Sequence, residues 1–265
     1  MKTNSKIPQV MSTKNYDRFE MHRCNRPIHK NDPVEASMRR VGFMPSSPLQ
    51  CIKNGNGKLK IIRGHHRFSI AKKLGIPVKY MVDDSNTDIF ELEGSSTGAW
   101  NSPDFAFARA QAGDKDIQFM LTFKEEHGFT LGSAASLVYG QSAGSGNALR
   151  VIKTGRFKIG DMTHANRVAA ITDVLRDEKI EFATSAGFVS AISSAVRIPE
   201  LDYDILMHKA RTRSYILSKR STAKEYLQEI EELYNYAAKR KGKRLSVSYR
   251  ADEVGRDRAA IGNKA

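Results

Sequence analysis

Lys58-Leu59-Lys60-Ile61-Ile62-Arg63-Gly64-His65-His66-Arg67-Phe68-Ser69-Ile70-Ala71-Lys72-Lys73-Leu74-Gly75-Ile76-Pro77-Val78-Lys79-Tyr80-Met81-Val82 reads as strand, turn, helix, strand. Residues 58–62 are strand-like, and Arg63 to Arg67 break the strand. Phe68 to Leu74 has the apolar spacing of a short helix, which Gly75 stops. Ile76 to Val82 is a further strand. Upstream, Pro48 to Lys53 pairs with 58–62 as a hairpin around Asn54-Gly55-Asn56-Gly57. Before that, Asp32, Pro33 and Glu35 give a helix start, and Gly42 ends the helix after Val41. Residues 18–22 alternate like a short strand. Residues 16–83 therefore predict one compact α/β unit.

The turn itself carries chemistry. A helix N-terminus offers free N–H groups and a partial positive charge to an anion. Gly64 allows close backbone approach. Arg67 can pair bidentately with phosphate, Arg63 adds charge, and His65 and His66 can donate hydrogen bonds.

The order of motifs across residues 26–82 resembles the N-terminal domain of the ParB/sulfiredoxin superfamily. The matching elements are Arg26-Pro27-Ile28, the helix 34–40, Gly42-Phe43 and Pro48-Leu49. They continue through strand 58–62, Gly64-His65-His66-Arg67-Phe68-Ser69-Ile70-Ala71 and Ile76-Pro77-Val78. The resemblance implies a nucleoside triphosphate as cofactor, CTP or ATP with or without Mg²⁺. It places the ligand on Gly64, His65, His66 and Arg67, with Arg26 as a supporting contact. Partition proteins usually read Gly-Glu-Arg-Arg where His65 and His66 occupy the middle positions here. Sulfiredoxins place a Cys where His65 stands, so a thiol-based repair reaction is excluded. The His-His-Arg version is most similar to divergent ParB-like proteins of phages, plasmids and similar elements.

From residue 93 on, the signals are helical. Helices are expected at 103–112, 115–127, 130–139, 145–154, 161–178, 185–196, 200–218 and 222–240, with Ser102 as the first cap. Most breaks carry glycine: Gly113, Gly128, Gly140, Gly155 and Gly187. Residues 117–154 form a helix-turn-helix candidate, with Ala134 and Ala135 small enough for a close crossing. Its last helix displays Ser145, Asn147, Arg150 and Lys153, side chains able to contact bases or phosphates. Trp100 reads as a packing anchor. The last helix opens with the capping box Thr222-x-x-Glu225, and its apolar line through Tyr226, Ile230 and Leu233 suits packing or a homodimer seam. Lys239, Arg240, Lys241, Lys243 and Arg244 suit nonspecific phosphate contact.

The expected fold is thus an α/β N-terminal ParB/sulfiredoxin-like domain followed by an all-α helical domain. The expected boundaries are a flexible 1–15, a nucleotide domain 16–92, a helical domain 93–220, and a final helix and basic tail 221–265, disordered beyond about 245.

Charge placement agrees with polyanionic partners. The 265 residues carry a net charge of +14, distributed as +13 over residues 1–80, −7 over 81–127, zero over 128–207 and +8 over 208–265. At 27% charged and 40% hydrophobic the chain can bury a core. No apolar run is long enough to span a membrane, and the N-terminus lacks the apolar stretch of a secretory signal. Two cysteines without CxxC spacing give neither a disulfide framework nor a thiolate zinc site, so a cytoplasmic setting is expected. No metal centre is expected at the adjacent histidines, because neighbours on a turn splay apart and no third ligand stands nearby. DNA and a nucleotide are the expected partners. Asp83 and Asp84, at a strand end, open an alternative as a Mg²⁺-dependent nuclease or NTPase. The acidic 81–127 segment opens another, as an effector acting on a host protein.

Overall fold

The computed structural model describes residues 9–28, 32–83, 100–141, 147–237, 244–248 and 250–251. The chain divides into two compact units, Met1–Gly113 and Asp114–Ala265. The expected boundary at 92/93 lies outside the described residues.

The first unit is built on a mixed five-stranded sheet, order β1-β5-β3-β4-β2. In chain order it comprises β1 (Met11–Thr13), β2 (Phe19–Met21), α1 (Asp32–Val41) and β3 (Leu49–Lys53). β4 (Leu59–Arg63), α2 (His65–Leu74), β5 (Val78–Val82) and α3 (Ser102–Ala112) follow. The hairpin is present as read: β3 and β4 are antiparallel, and Asn54 N–H donates to the Lys58 carbonyl at 2.8 Å. β2 runs parallel to β4, and β5 parallel to β3. Every second residue of β3 and β4 points inward, so Leu49, Cys51, Leu59 and Ile61 are buried. Phe19 fills the space between Phe68, at 5.4 Å between ring centroids, and Tyr80, at 5.1 Å.

One strand departs from the reading. Residues 11–13, in the segment expected to be loose, form β1, which pairs antiparallel with β5. Backbone hydrogen bonding to an open edge suffices there, aided by Lys79 Nζ donating to Ser12 Oγ at 3.0 Å. Met-Ser-Thr has no apolar alternation to announce it.

The second unit holds α4 (Lys115–His127), α5 (Leu131–Val138), α6 (Asn147–Thr154) and α7 (Met162–Asp177). α8 (Ala186–Ala195), α9 (Tyr203–Arg213) and α10 (Ala223–Asn235) complete it. Side chains cap the helices at Asp114, Thr130, Asp161, Ser185, Asp202 and Thr222. The Thr222/Glu225 capping box forms as expected. In the first unit the cap of α3 is Asn101, not Ser102, because the Asn101 side chain and Asp104 satisfy one another's backbone N–H groups.

Gly113, Gly128, Gly140 and Gly155 take positive φ, as helix-ending glycines do. Gly187 instead sits inside α8, where a Cβ would come within 3.4 Å of the Tyr226 ring. It marks close packing of α8 on α10 rather than a break. The apolar line of α10 (Tyr226, Ile230, Leu233) is buried, and the helix packs on α8 within the unit. α10 ends at Asn235, short of the expected 240, and Ala237 adopts a φ of 56°.

Order also extends past residue 245. Val247 is fully buried, Ser248 N–H donates to Glu231 Oε2 at 3.0 Å, and the Asn235 side chain brackets Leu245. One apolar side chain with these bonds outweighs the polar composition of its surroundings. Among the described residues, no helix is long and apolar enough to cross a membrane.

Candidate functional site

β4 ends at Arg63, Gly64 turns the chain, and α2 begins at His65. Gly64 has a φ of 94°, and a Cβ there would lie 2.9 Å from Leu49 Cδ2 and 3.1 Å from Arg67 Nη2. The glycine is required twice over: for its left-handed conformation, and because a core leucine and the Arg67 guanidinium occupy the adjacent space. No side chain caps α2, so its first N–H groups face outward from the turn with the positive end of the helix dipole.

The loop before α1 brings Arg26 to this turn. Asn25 Nδ2 donates to the Ile61 carbonyl at 2.9 Å and ties the loop to β4. Arg26 Nη1 lies 3.3 Å from Asp104 Oδ2 in α3. His65 is buried and hydrogen-bonded to the Arg26 backbone, while its Nε2 has no partner. The bonding nitrogen is therefore Nδ1, and in the neutral ring that tautomer leaves Nε2 as an acceptor. Burial first, then the charges of His66 and Arg26, push the His65 pKa down to about 4. The ring is neutral at pH 7 and supplies a hydrogen-bonding atom rather than charge. The two histidines do not splay apart, since their ring centroids are 4.3 Å from one another.

Arg67 places its guanidinium beside Gly64 and Phe43. Its guanidinium carbon is 5.9 Å from the Phe43 ring centroid, and its Nη1 is buried without a partner. Burial and the neighbouring Arg63 charge hold its pKa below the ordinary arginine value, yet an arginine stays cationic. Arg67 lines a cavity of about 260 Å³ whose apolar walls are Val34, Met38, Phe43 and Met44, with Ser37 and Ser47 among the lining residues.

Three arginines, 26, 63 and 67, thus stand around the turn with Asp104 as the carboxylate paired to one of them. Residues at or beside the turn carry buried polar atoms without partners: Arg26 Nε, Gln50 Oε1, His65 Nε2 and Arg67 Nη1. Unsatisfied buried polar atoms are costly and uncommon. A group bringing several oxygens to the turn would satisfy the arginine donors.

The structure brings Arg26, Gly64, His65, His66 and Arg67 together. Sequence reading missed Gln50, Asp104 and the cavity. Gln50 adjoins the Pro48-Leu49 motif and pairs across from Arg63 beside a register shift in β3, a place where bulges commonly re-aim side chains. Asp104 announces itself only as an acid in a helix's first turn.

Asp83 donates its N–H to the Cys51 carbonyl at 2.8 Å, and Asp84 lies outside the described residues. Among the described residues, no group of three or more His, Cys, Asp or Glu side chains is placed to hold a metal ion.

In the second unit, Asn147, Arg150 and Lys153 are exposed along one side of α6, with Ala148 and Ile152 fully buried on the other. Arg150 Nη2 contacts Asn147 Oδ1 at 3.4 Å. Ala134 and Ala135 are fully buried in α5, which packs on α6. Ser145 and the connection at 142–146 lie outside the described residues, as do Lys239, Arg240, Lys241 and Lys243. Arg244 is exposed. Lys158, beyond α6, pairs with Asp116 at 2.8 Å. Trp100 packs as an anchor, buried against Phe105 at 5.5 Å.

No protein-family model matches the chain, and no curated protein matches it.

Proposed function

We propose that the protein is a ParB-like nucleotide- and DNA-binding protein of a phage, plasmid or similar element, working in the cytoplasm. A nucleoside triphosphate, CTP or ATP, binds at Gly64-His65-His66-Arg67, with Arg26 and Arg67 taking phosphate oxygens. The observation that carries this reading is the pair of buried, partnerless arginine donors, Arg26 Nε and Arg67 Nη1, on residues beside an uncapped helix N-terminus. The mixed five-stranded sheet and the order of motifs from Arg26 to Val78 support it. DNA binding rests on the exposed Asn147, Arg150 and Lys153 of α6 as the last helix of a helix-turn-helix, and on the basic run 239–244.

Isothermal titration with CTP, ATP and GTP, each with and without Mg²⁺, tests the nucleotide site. Binding of one of them, weakened about 10- to 100-fold in Arg67→Ala, is the expected result for loss of a charged hydrogen bond. Absence of binding to all three refutes the reading. For DNA, Arg150→Ala should weaken duplex binding at fixed salt, and an unchanged isotherm removes α6 from the interface.

A further inference from the structure

The end of α9 and the turn after it form a second basic surface. Residues 205–220 hold five Lys and Arg and no Asp or Glu. Tyr215 is 68% exposed and Tyr236 41% exposed, unusually open for aromatic rings. Their phenol groups interact with one another. Arg213 lies 5.7 Å and Lys209 5.8 Å from the Tyr236 ring centroid, and Lys209 Nζ also donates to the Tyr236 carbonyl at 2.6 Å. Two open phenol rings thus stand together, with two cations beside that of Tyr236.

We propose that Lys209, Arg213, Tyr215 and Tyr236 form a stacking platform for single-stranded nucleic acid. A paired base shows its edge in a groove, whereas an unpaired base offers a face to an open ring. Tyr215 takes that face, and Lys209 and Arg213 neutralise the flanking phosphates. An acidic peptide would use the cations but not the ring, so ring and charge separate the two ligands experimentally. The surface uses none of the residues assigned to α6 or to the turn at Gly64.

The test is fluorescence anisotropy of the full chain with labelled oligothymidylate and oligouridylate of about 20 nucleotides, enough for one site, beside a blunt duplex of equal length. Tyr215→Ala should weaken single-strand binding about 5- to 100-fold, while Tyr215→Phe retains most of it. Arg213→Gln should lower the slope of log K against log salt by about 0.7. Because Tyr215 is exposed, an unchanged melting temperature checks the fold of each variant. Failure of the wild type to bind either strand overturns the proposal. So does Tyr215→Ala binding as the wild type does, or Tyr215→Phe falling as far as Tyr215→Ala.

Discussion

Acidifying the protein from pH 7.5 to 5 should destabilise the first unit through His65, and replacing His65 by Asn should remove most of that sensitivity. The buried imidazole titrates near 4 when folded, against an ordinary 6.5 when unfolded. Between those values the unfolded chain binds more protons than the folded one. Stability is therefore fully present above pH 6.5 and is lost as pH falls toward 4. At about 1.36 kcal/mol for each tenfold change, this one ring accounts for a loss of about 2 kcal/mol by pH 5 and about 3 kcal/mol by pH 4. Trp100, the single tryptophan of the chain, is buried against Phe105 in the same unit, so its emission reports the unit's unfolding. Urea denaturation followed by this signal at pH 7.5 and 5 measures the difference. His65→Asn keeps a donor near the Nδ1 position but does not titrate. If the variant loses as much stability as the wild type over this interval, burial of a neutral His65 is refuted.

Other consequences are accessible with the same tools. Gly64→Ala should cost about 2–4 kcal/mol in Trp100-monitored unfolding, from the positive φ together with crowding by Leu49 and Arg67. Asn101→Ala, which empties the capping box of α3, should cost about 1 kcal/mol by the same signal. In the second unit, Glu229 is buried, accepts from Arg220 Nε at 2.8 Å and from Ser218 N–H at 2.7 Å. Glu229→Ala removes the acceptor shared by Ser218 and Arg220, both exposed and able to turn to water, and should cost about 1 kcal/mol, measured by calorimetric unfolding.

The helical signals were legible because each stands on local chemistry. Thr222 with Glu225 cap their own helix, and Gly113, Gly128, Gly140 and Gly155 need no distant partner to end theirs. The hairpin at 54–57 is equally local. What escaped is what depends on partners remote in sequence. β1 exists because β5 leaves an edge open to residues 11–13. Asp104 reads in sequence only as an acid in a helix's first turn, where it completes the capping box with Asn101, but the same carboxylate also holds Arg26 from 78 residues away. Gly187 looked like a helix break and proved to be a contact surface for Tyr226. The turn at Gly64 was legible as residue types. That its histidine would be neutral, and its glycine hemmed in by Leu49, follows only from the packing around it.

Both cysteines lie in the first unit, both are buried, and neither is in a disulfide. Cys51 sits on the central strand β3, where burial pushes its thiol up to about 12, while Cys24 stands two residues ahead of Arg26. Since only an exposed thiolate is alkylated readily, the molecule contains two timers set at different depths. Alkylation of Cys24 would report any opening of the loop that carries Arg26. Cys51 records how often the sheet itself comes apart, and the remainder of the chain adds no thiol to blur either reading.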